Sequence, residues 1–170
     1  AEKRSMDVKA KKLRREGFVT GNLFGREIEG SIPLKFTKKE IEVLLKNNNK
    51  GSQVMLELDG KTYDALIKEV DYNPLAHTVE EVDFQALVSN EMVHSTAEII
   101  LENEEKVLSG VLQDELKEVA YKALPADLVD KIKVDVAGMK IGDTLRVKDL
   151  EIAKNKNIHI TTDLLSLIHI

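Results

Sequence analysis

One alternating run, broken by a single dipeptide, limits the folds open to this chain more than any other feature. Residues 53–70 read QVMLELDGKTYDALIKEV. Val54, Leu56 and Leu58 share one face of an extended segment, and apolar positions resume after Asp59-Gly60 at Tyr63, Ala65, Ile67 and Val70. Alternation with a period of two marks a half-buried strand. Asp-Gly accepts the positive φ angles of a type I′ turn, whose twist matches that of the flanking strands. The stretch is read as a β-hairpin.

Its surroundings point the same way. GNLFGREIEGSIPLKF, residues 21–36, supplies two short apolar runs around Arg26, Glu27 and Gly30, consistent with a hairpin or meander. Pro33 is expected at a strand edge or bulge because it has no N–H to donate. The helix expected in this half covers residues 38–47. Thr37 is placed to cap it, Glu40 to complete a capping box, and Ile41, Leu44 and Leu45 lie on one face. Asn73-Pro74 marks a turn, and VEEVDFQAL, residues 79–87, sets Val82, Phe84 and Ala86 against Asp83 and Gln85 as a further strand.

The texture changes after about residue 91. STAEIILENEEKVLSGVLQ, residues 95–113, gives two strand-like runs across an acidic turn at Glu102 to Glu105. Residues 115–124, ELKEVAYKAL, fit a helix or a strand. Residues 131–150 read as strand, Gly turn, strand, with Ile132, Val134 and Val136 alternating. The last thirteen, IHITTDLLSLIHI, resemble a hairpin turning at Thr162-Asp163. The expectation is a mainly β, α+β protein of two domains, 1–91 and 92–170.

Charge is distributed unevenly. Of 25 Lys/Arg and 30 Asp/Glu, fifteen of each precede residue 91, which leaves ten basic and fifteen acidic for the remainder. Lys3, Arg4, Lys9, Lys11, Lys12, Arg14 and Arg15 crowd the first sixteen residues against Glu2, Asp7 and Glu16. Such polarity suits an anionic partner at one end; a solvated, poorly ordered terminus is the alternative. The absence of Cys excludes disulfides and thiolate chemistry. No apolar run approaches the roughly 20 residues of a membrane helix, and no apolar stretch follows the N-terminal charges. A cytoplasmic protein without a signal peptide is expected.

Catalytic patterns are missing from the sequence: GxSxG, HExxH and a phosphate-cradling GxxxxGK[ST] do not occur. His77, His94, His159 and His169 lack ligand-like spacing, so no metal, cofactor or enzymatic activity is expected. Binding remains. The cations of KAKKLRREG, residues 9–17, can neutralise phosphates. Phe24 can offer a face for base stacking, although its spacing fits core packing better.

Several segments, in order, resemble the bacterial ribosomal protein L twenty-five family in its long form, called Ctc or general stress protein. LRREGFVTGNLFG (13–25) resembles the family's basic arm and the segment ending in Tyr-Gly. LDGKTYDALIKEVDYNP (58–74) resembles its DGK hairpin, and VEEVDF (79–84) stands in the place of its His-x-Asp-Phe. LPADLVDKIKVDVAGMKIGDTLRVKDL (124–150) is similar to the long-form signature. The resemblance implies a six-stranded, barrel-like N-terminal domain that binds 5S ribosomal RNA, followed by a β-rich C-terminal domain. Its partners would be 5S rRNA and the large ribosomal subunit, with no DNA, membrane or small-molecule partner. The RNA-binding set it implies is Lys9, Lys11, Lys12, Arg14, Arg15, Phe24, Gly25 and Asp83. Four departures accompany it: Phe24 replaces Tyr, Thr20-Gly21 replaces Pro-Ala, Asp71 replaces Gln, and Glu81 replaces His. The last two set carboxylates where neutral or cationic groups would face phosphate. The alternative is a divergent stress-protein paralogue with weak or no 5S RNA binding that acts through protein contacts.

Overall fold

The computed structural model of the protein describes residues 1–107, 113–114, 116–140, 142–162 and 166–169. It is mainly β and divides into two units, Ala1–Glu91 and Met92–Ile170.

The first unit runs β1 (Glu2–Lys3), α1 (Ala10–Arg15), β2 (Phe18–Phe24), β3 (Ser31–Thr37), α2 (Lys38–Asn47), β4 (Gln53–Leu58), β5 (Lys61–Asn73) and β6 (Thr78–Ala86). The six strands form one sheet in the order β1-β3-β2-β6-β5-β4. The Asp59-Gly60 hairpin is present: Leu58 pairs with Lys61, and φ is 51° at Asp59 and 77° at Gly60, as a type I′ turn requires. The β5–β6 turn is held by Asn73, whose Oδ1 accepts the N–H groups of Leu75 and Ala76, each at 3.0 Å. Pro33 lies opposite Asn22 of β2, and its carbonyl accepts the Arg4 N–H. Its missing N–H therefore faces the β1 side, away from β2, where the pairing with β1 ends at Lys3.

The sheet curls. Lys3, on the β1 edge, reaches Asp59, at the turn that ends the opposite edge strand β4, with Nζ–Oδ2 2.7 Å. Inside the curl lie Val19, Leu23, Leu34, Phe36, Leu56, Leu58, Ala65, Ile67, Val82 and Phe84, together with Ile41 from α2. Phe36 and Phe84 meet as a tilted ring pair with centroids 5.6 Å apart. The helix α2 has the bounds expected and a complete capping box: Thr37 Oγ1 accepts the Glu40 N–H, and Glu40 Oε2 accepts the Thr37 N–H. It is not the only helix of this half, however. Ala10–Arg15 forms α1, where the sequence was expected to hold a basic arm and no helix. Its six residues are mostly good helix formers with one buried side chain, Leu13, too short a run to show a helical period.

The second unit contains β7 (Val93–Glu102), β8 (Gln113–Asp114), β9 (Glu118–Ala123), β10 (Lys131–Asp135), β11 (Thr144–Arg146), α3 (Glu151–Lys154), β12 (His159–Ile160) and β13 (Ser166–His169). One sheet has the order β10-β7-β9-β12 and another β11-β13-β8. Within the ambiguous run at 115–124, Glu118–Ala123 is the strand β9, with Val119, Tyr121 and Ala123 buried. The acidic turn after β7 begins at Asn103, with φ 63°, and continues as a 3₁₀ turn over Glu104–Lys106. Most of the strand-like run expected after it, at 108–112, lies outside the described residues. The two final strands do not form a hairpin with each other: β12 pairs with β9, whereas β13 pairs with β11 and β8. The expected turning point at Asp163 lies outside the described residues. Likewise, β10 and β11 belong to different sheets, and β10 runs parallel to β7.

Candidate nucleic-acid interface

Along β2, Val19 and Leu23 enter the core, which turns Thr20, Asn22 and Phe24 to the outer face. Leu13 is the buried residue of α1, and the helix packs on β2 through it. Anchoring this one side chain presents the helix's cations around it. Lys9, Lys11, Lys12 and Arg15 are exposed, and Arg14 is half-buried. Lys12 makes an exposed ion pair with Glu16 at 3.8 Å, a contact worth little and easily screened. Among the described residues Lys9, Lys11 and Arg15 make no ion pair. Four cations are therefore open to an anion.

Next to them, β6 runs parallel to β2, with Thr20 opposite Glu81 and Phe24 opposite Gln85. Thr20 is fully buried, and its hydroxyl donates to the Glu80 carbonyl at 3.3 Å. Val82 and Phe84 occupy the core, so Glu81 and Asp83 emerge on the same outer face as Asn22. Across β6, Asp71 of β5 lies opposite Glu81. Asn22 ties the strip together. Its backbone N–H and its Nδ2 both donate to Asp83 Oδ1, at 3.0 and 3.1 Å, and Nδ2 also donates to Glu81 Oε1 at 3.4 Å. From α1, Arg14 Nη1 stands 3.5 Å from Glu81 Oε2.

Burial pushes the Glu81 carboxyl above the ordinary carboxylate range, and the Asp83 charge pushes it further. Arg14 opposes the rise, Asp71 adds to it, and Arg4 opposes it. The strip thus holds three carboxylates answered by two guanidinium groups.

The structure brings the expected residues together unequally. The five cations of the arm share one short segment ending on β2, and Asp83 lies beside it on β6. Phe24 is half-buried on the outer face and is not part of the core cluster, contrary to the reading that its spacing favoured. Gly25 sits against β6, where an added Cβ would come within 2.9 Å of the Ala86 carbonyl oxygen. Asn22 and Arg4 were missed. A polar residue inside the run Val19 to Phe24 was the only hint of Asn22, and the parallel pairing that gives it partners about sixty positions away has no local signature. Among the described residues no group of three or more His, Cys, Asp or Glu side chains could hold a metal ion, and no helix is long and apolar enough to cross a membrane.

Comparison with known proteins covers both units. Residues 1–84 match the ribosomal L25p family, and residues 92–168 match the C-terminal domain of ribosomal protein TL5. The chain is similar to the large ribosomal subunit protein bL25 of Carboxydothermus hydrogenoformans, with 33% identity over 160 residues, 89% of this chain and 80% of the relative. It is 32% identical to the protein of the same name from Caldicellulosiruptor bescii over 155 residues, 90% and 76% of the two chains. For that of Akkermansia muciniphila the identity is 30% over 158 residues, 91% of this chain and 78% of the relative.

Proposed function

The chain belongs to the ribosomal L25p family in its long, two-domain form, and on that premise we propose that it binds 5S ribosomal RNA through α1 and the outer strip of β2 and β6. By membership it is a structural protein of the large ribosomal subunit, part of the translation machinery and not an enzyme. We assign RNA binding to the domain of residues 1–91, with Lys9, Lys11, Lys12, Arg14 and Arg15 on phosphates and Phe24, Gly25 and Asp83 at the RNA-facing edge. A ribosome-associated, cytoplasmic location and the general stress (Ctc) type of role belong to the same proposal. The Ctc role rests on the resemblance of the second unit.

The observation that supports this reading best is the seating of α1. A single buried Leu13 fixes a helix whose other long side chains are cationic, and Lys11, Lys12 and Arg15, with Lys9 at its N-cap, are exposed where phosphates could reach them. Sequence-independent phosphate contacts dominate nucleic-acid affinity and give it a steep salt dependence. Titration of 5S rRNA and an unrelated RNA duplex of equal length, at two salt concentrations, tests it. The full chain should prefer 5S rRNA. The triple variant K11A/K12A/R15A should lose affinity for both, with the log–log salt slope flattened by about 2, at roughly 0.7–0.9 per phosphate contact. An unchanged slope, or no preference for 5S rRNA, would count against the proposal.

The Arg14–Glu81 contact favours a second reading, a paralogue whose RNA face is partly self-neutralised. Under that reading the wild-type chain fails to bind 5S rRNA at low salt, whereas the double variant D71Q/E81H binds.

A further inference from the structure

Arg14 differs from its neighbours on α1. Its side chain is 29% exposed, and it meets a Glu81 side chain 30% exposed. Glu81 is held from two sides, by Arg14 at Oε2 from α1 and by Asn22 at Oε1 from β2. The charged groups that face it are Asp83 along β6, Asp71 across on β5, Arg14 on α1, and Arg4 from the segment after β1. Removing Arg14 from this group would leave three carboxylates facing Arg4 alone.

We propose that Glu81 is a proton-gated latch on Arg14: ionised, it holds the guanidinium against the sheet, and an RNA phosphate that captures Arg14 leaves a carboxylate that takes up a proton from solvent. The inference rests on the RNA-binding reading above and concerns how that same face is regulated. Burial and Asp83 already favour the protonated form of Glu81, and the neighbouring Arg14 guanidinium opposes it. A bound phosphate withdraws Arg14 and adds negative charge nearby, so both changes favour protonation. Binding that takes up a proton must tighten as pH falls, by linkage. The proton is bound on a Glu81 oxygen, and no covalent bond to RNA forms.

The test uses the full chain as wild type and as Glu81→Gln, which keeps the side chain's size and its acceptor toward Asn22. Each is titrated with 5S rRNA and with an unrelated RNA duplex at about pH 7.5 and about pH 5.5, at constant ionic strength. Over that interval wild-type affinity should rise about 3- to 10-fold more than that of Glu81→Gln, the limit for one proton being tenfold per pH unit. Calorimetry in buffers of different ionisation enthalpy should detect fractional proton uptake by wild type beyond that of Glu81→Gln. Arg14→Gln should show the same loss of pH dependence, which covers the case in which Glu81→Gln does not fold. Equal pH dependence in wild type and both variants overturns the latch. Equal affinity for the two RNAs rejects the 5S reading and still lets the latch be measured on either. Binding to neither RNA at the lower pH overturns both.

Discussion

Gly21 lies on β2 where it runs parallel to β6, and an added Cβ there would stand 2.0 Å from the Val82 carbonyl oxygen. Backbone, not a flexible side chain, blocks that space, so Gly21→Ala must push the two strands apart. Overpacking of this kind costs about 1–3 kcal/mol, and urea unfolding should show it; a midpoint unchanged from wild type would mean that the junction yields freely. The same junction sets the behaviour of Glu81. Its carboxyl is raised above the ordinary value in the folded state, chiefly by burial. The associated stability is therefore fully present below the unfolded pKa and is lost as pH rises through the folded one. Wild type should lose stability relative to Glu81→Gln as pH climbs from about 4.5 toward neutrality, measured by urea midpoints across that window; a gap that narrows with rising pH would contradict this. At this scale the site was only partly legible. The cations of residues 9–15 declare themselves as a cluster, but the Asn22–Asp83 and Arg14–Glu81 contacts join residues 61 and 67 positions apart. No spacing rule reaches that far.

Elements with local signals were read correctly. The Asp59-Gly60 hairpin and α2 carry their instructions in a few adjacent residues, a turn dipeptide in one and a capping box in the other. Thr37→Ala removes that cap and should cost about 1 kcal/mol in thermal or urea unfolding. Glu40 takes part through the opposite shift: its carboxyl is lowered, first by the Thr37 N–H and then by the Thr37 hydroxyl. Its contribution is present above the unfolded pKa and fades as pH falls through the folded one, so the Thr37→Ala deficit should shrink in acid. Elements defined by distant partners were not legible. The parallel pairings β2–β6 and β7–β10 and the placing of β12 and β13 in different sheets depend on tertiary choice, as does a six-residue helix held by one leucine. In the second unit the Tyr121 hydroxyl, on a fully buried residue, both donates to the Val129 carbonyl and accepts its N–H, each at 2.6 Å. Tyr121→Phe leaves both backbone groups unpaired and should destabilise by about 1–3 kcal/mol; a stability within error of wild type would show that water replaces the hydroxyl.

Over the whole molecule, charge and architecture divide the work. Residues 1–90 are balanced in charge, yet their basic residues gather at one end, and the fold sets that end on the outer face of a curled sheet. The second unit carries the acidic excess, which would repel a polyanion and suits contacts other than RNA. The proposed RNA site is a single place, α1 with the adjoining strip of β2 and β6. Chemical-shift mapping of the full, isotopically labelled chain on addition of a 5S rRNA fragment tests this most directly. Perturbations should concentrate at residues 9–15, 20–25 and 81–83, with residues 92–170 unmoved. Perturbations centred in the second unit, or at the β4–β5 edge, would contradict it.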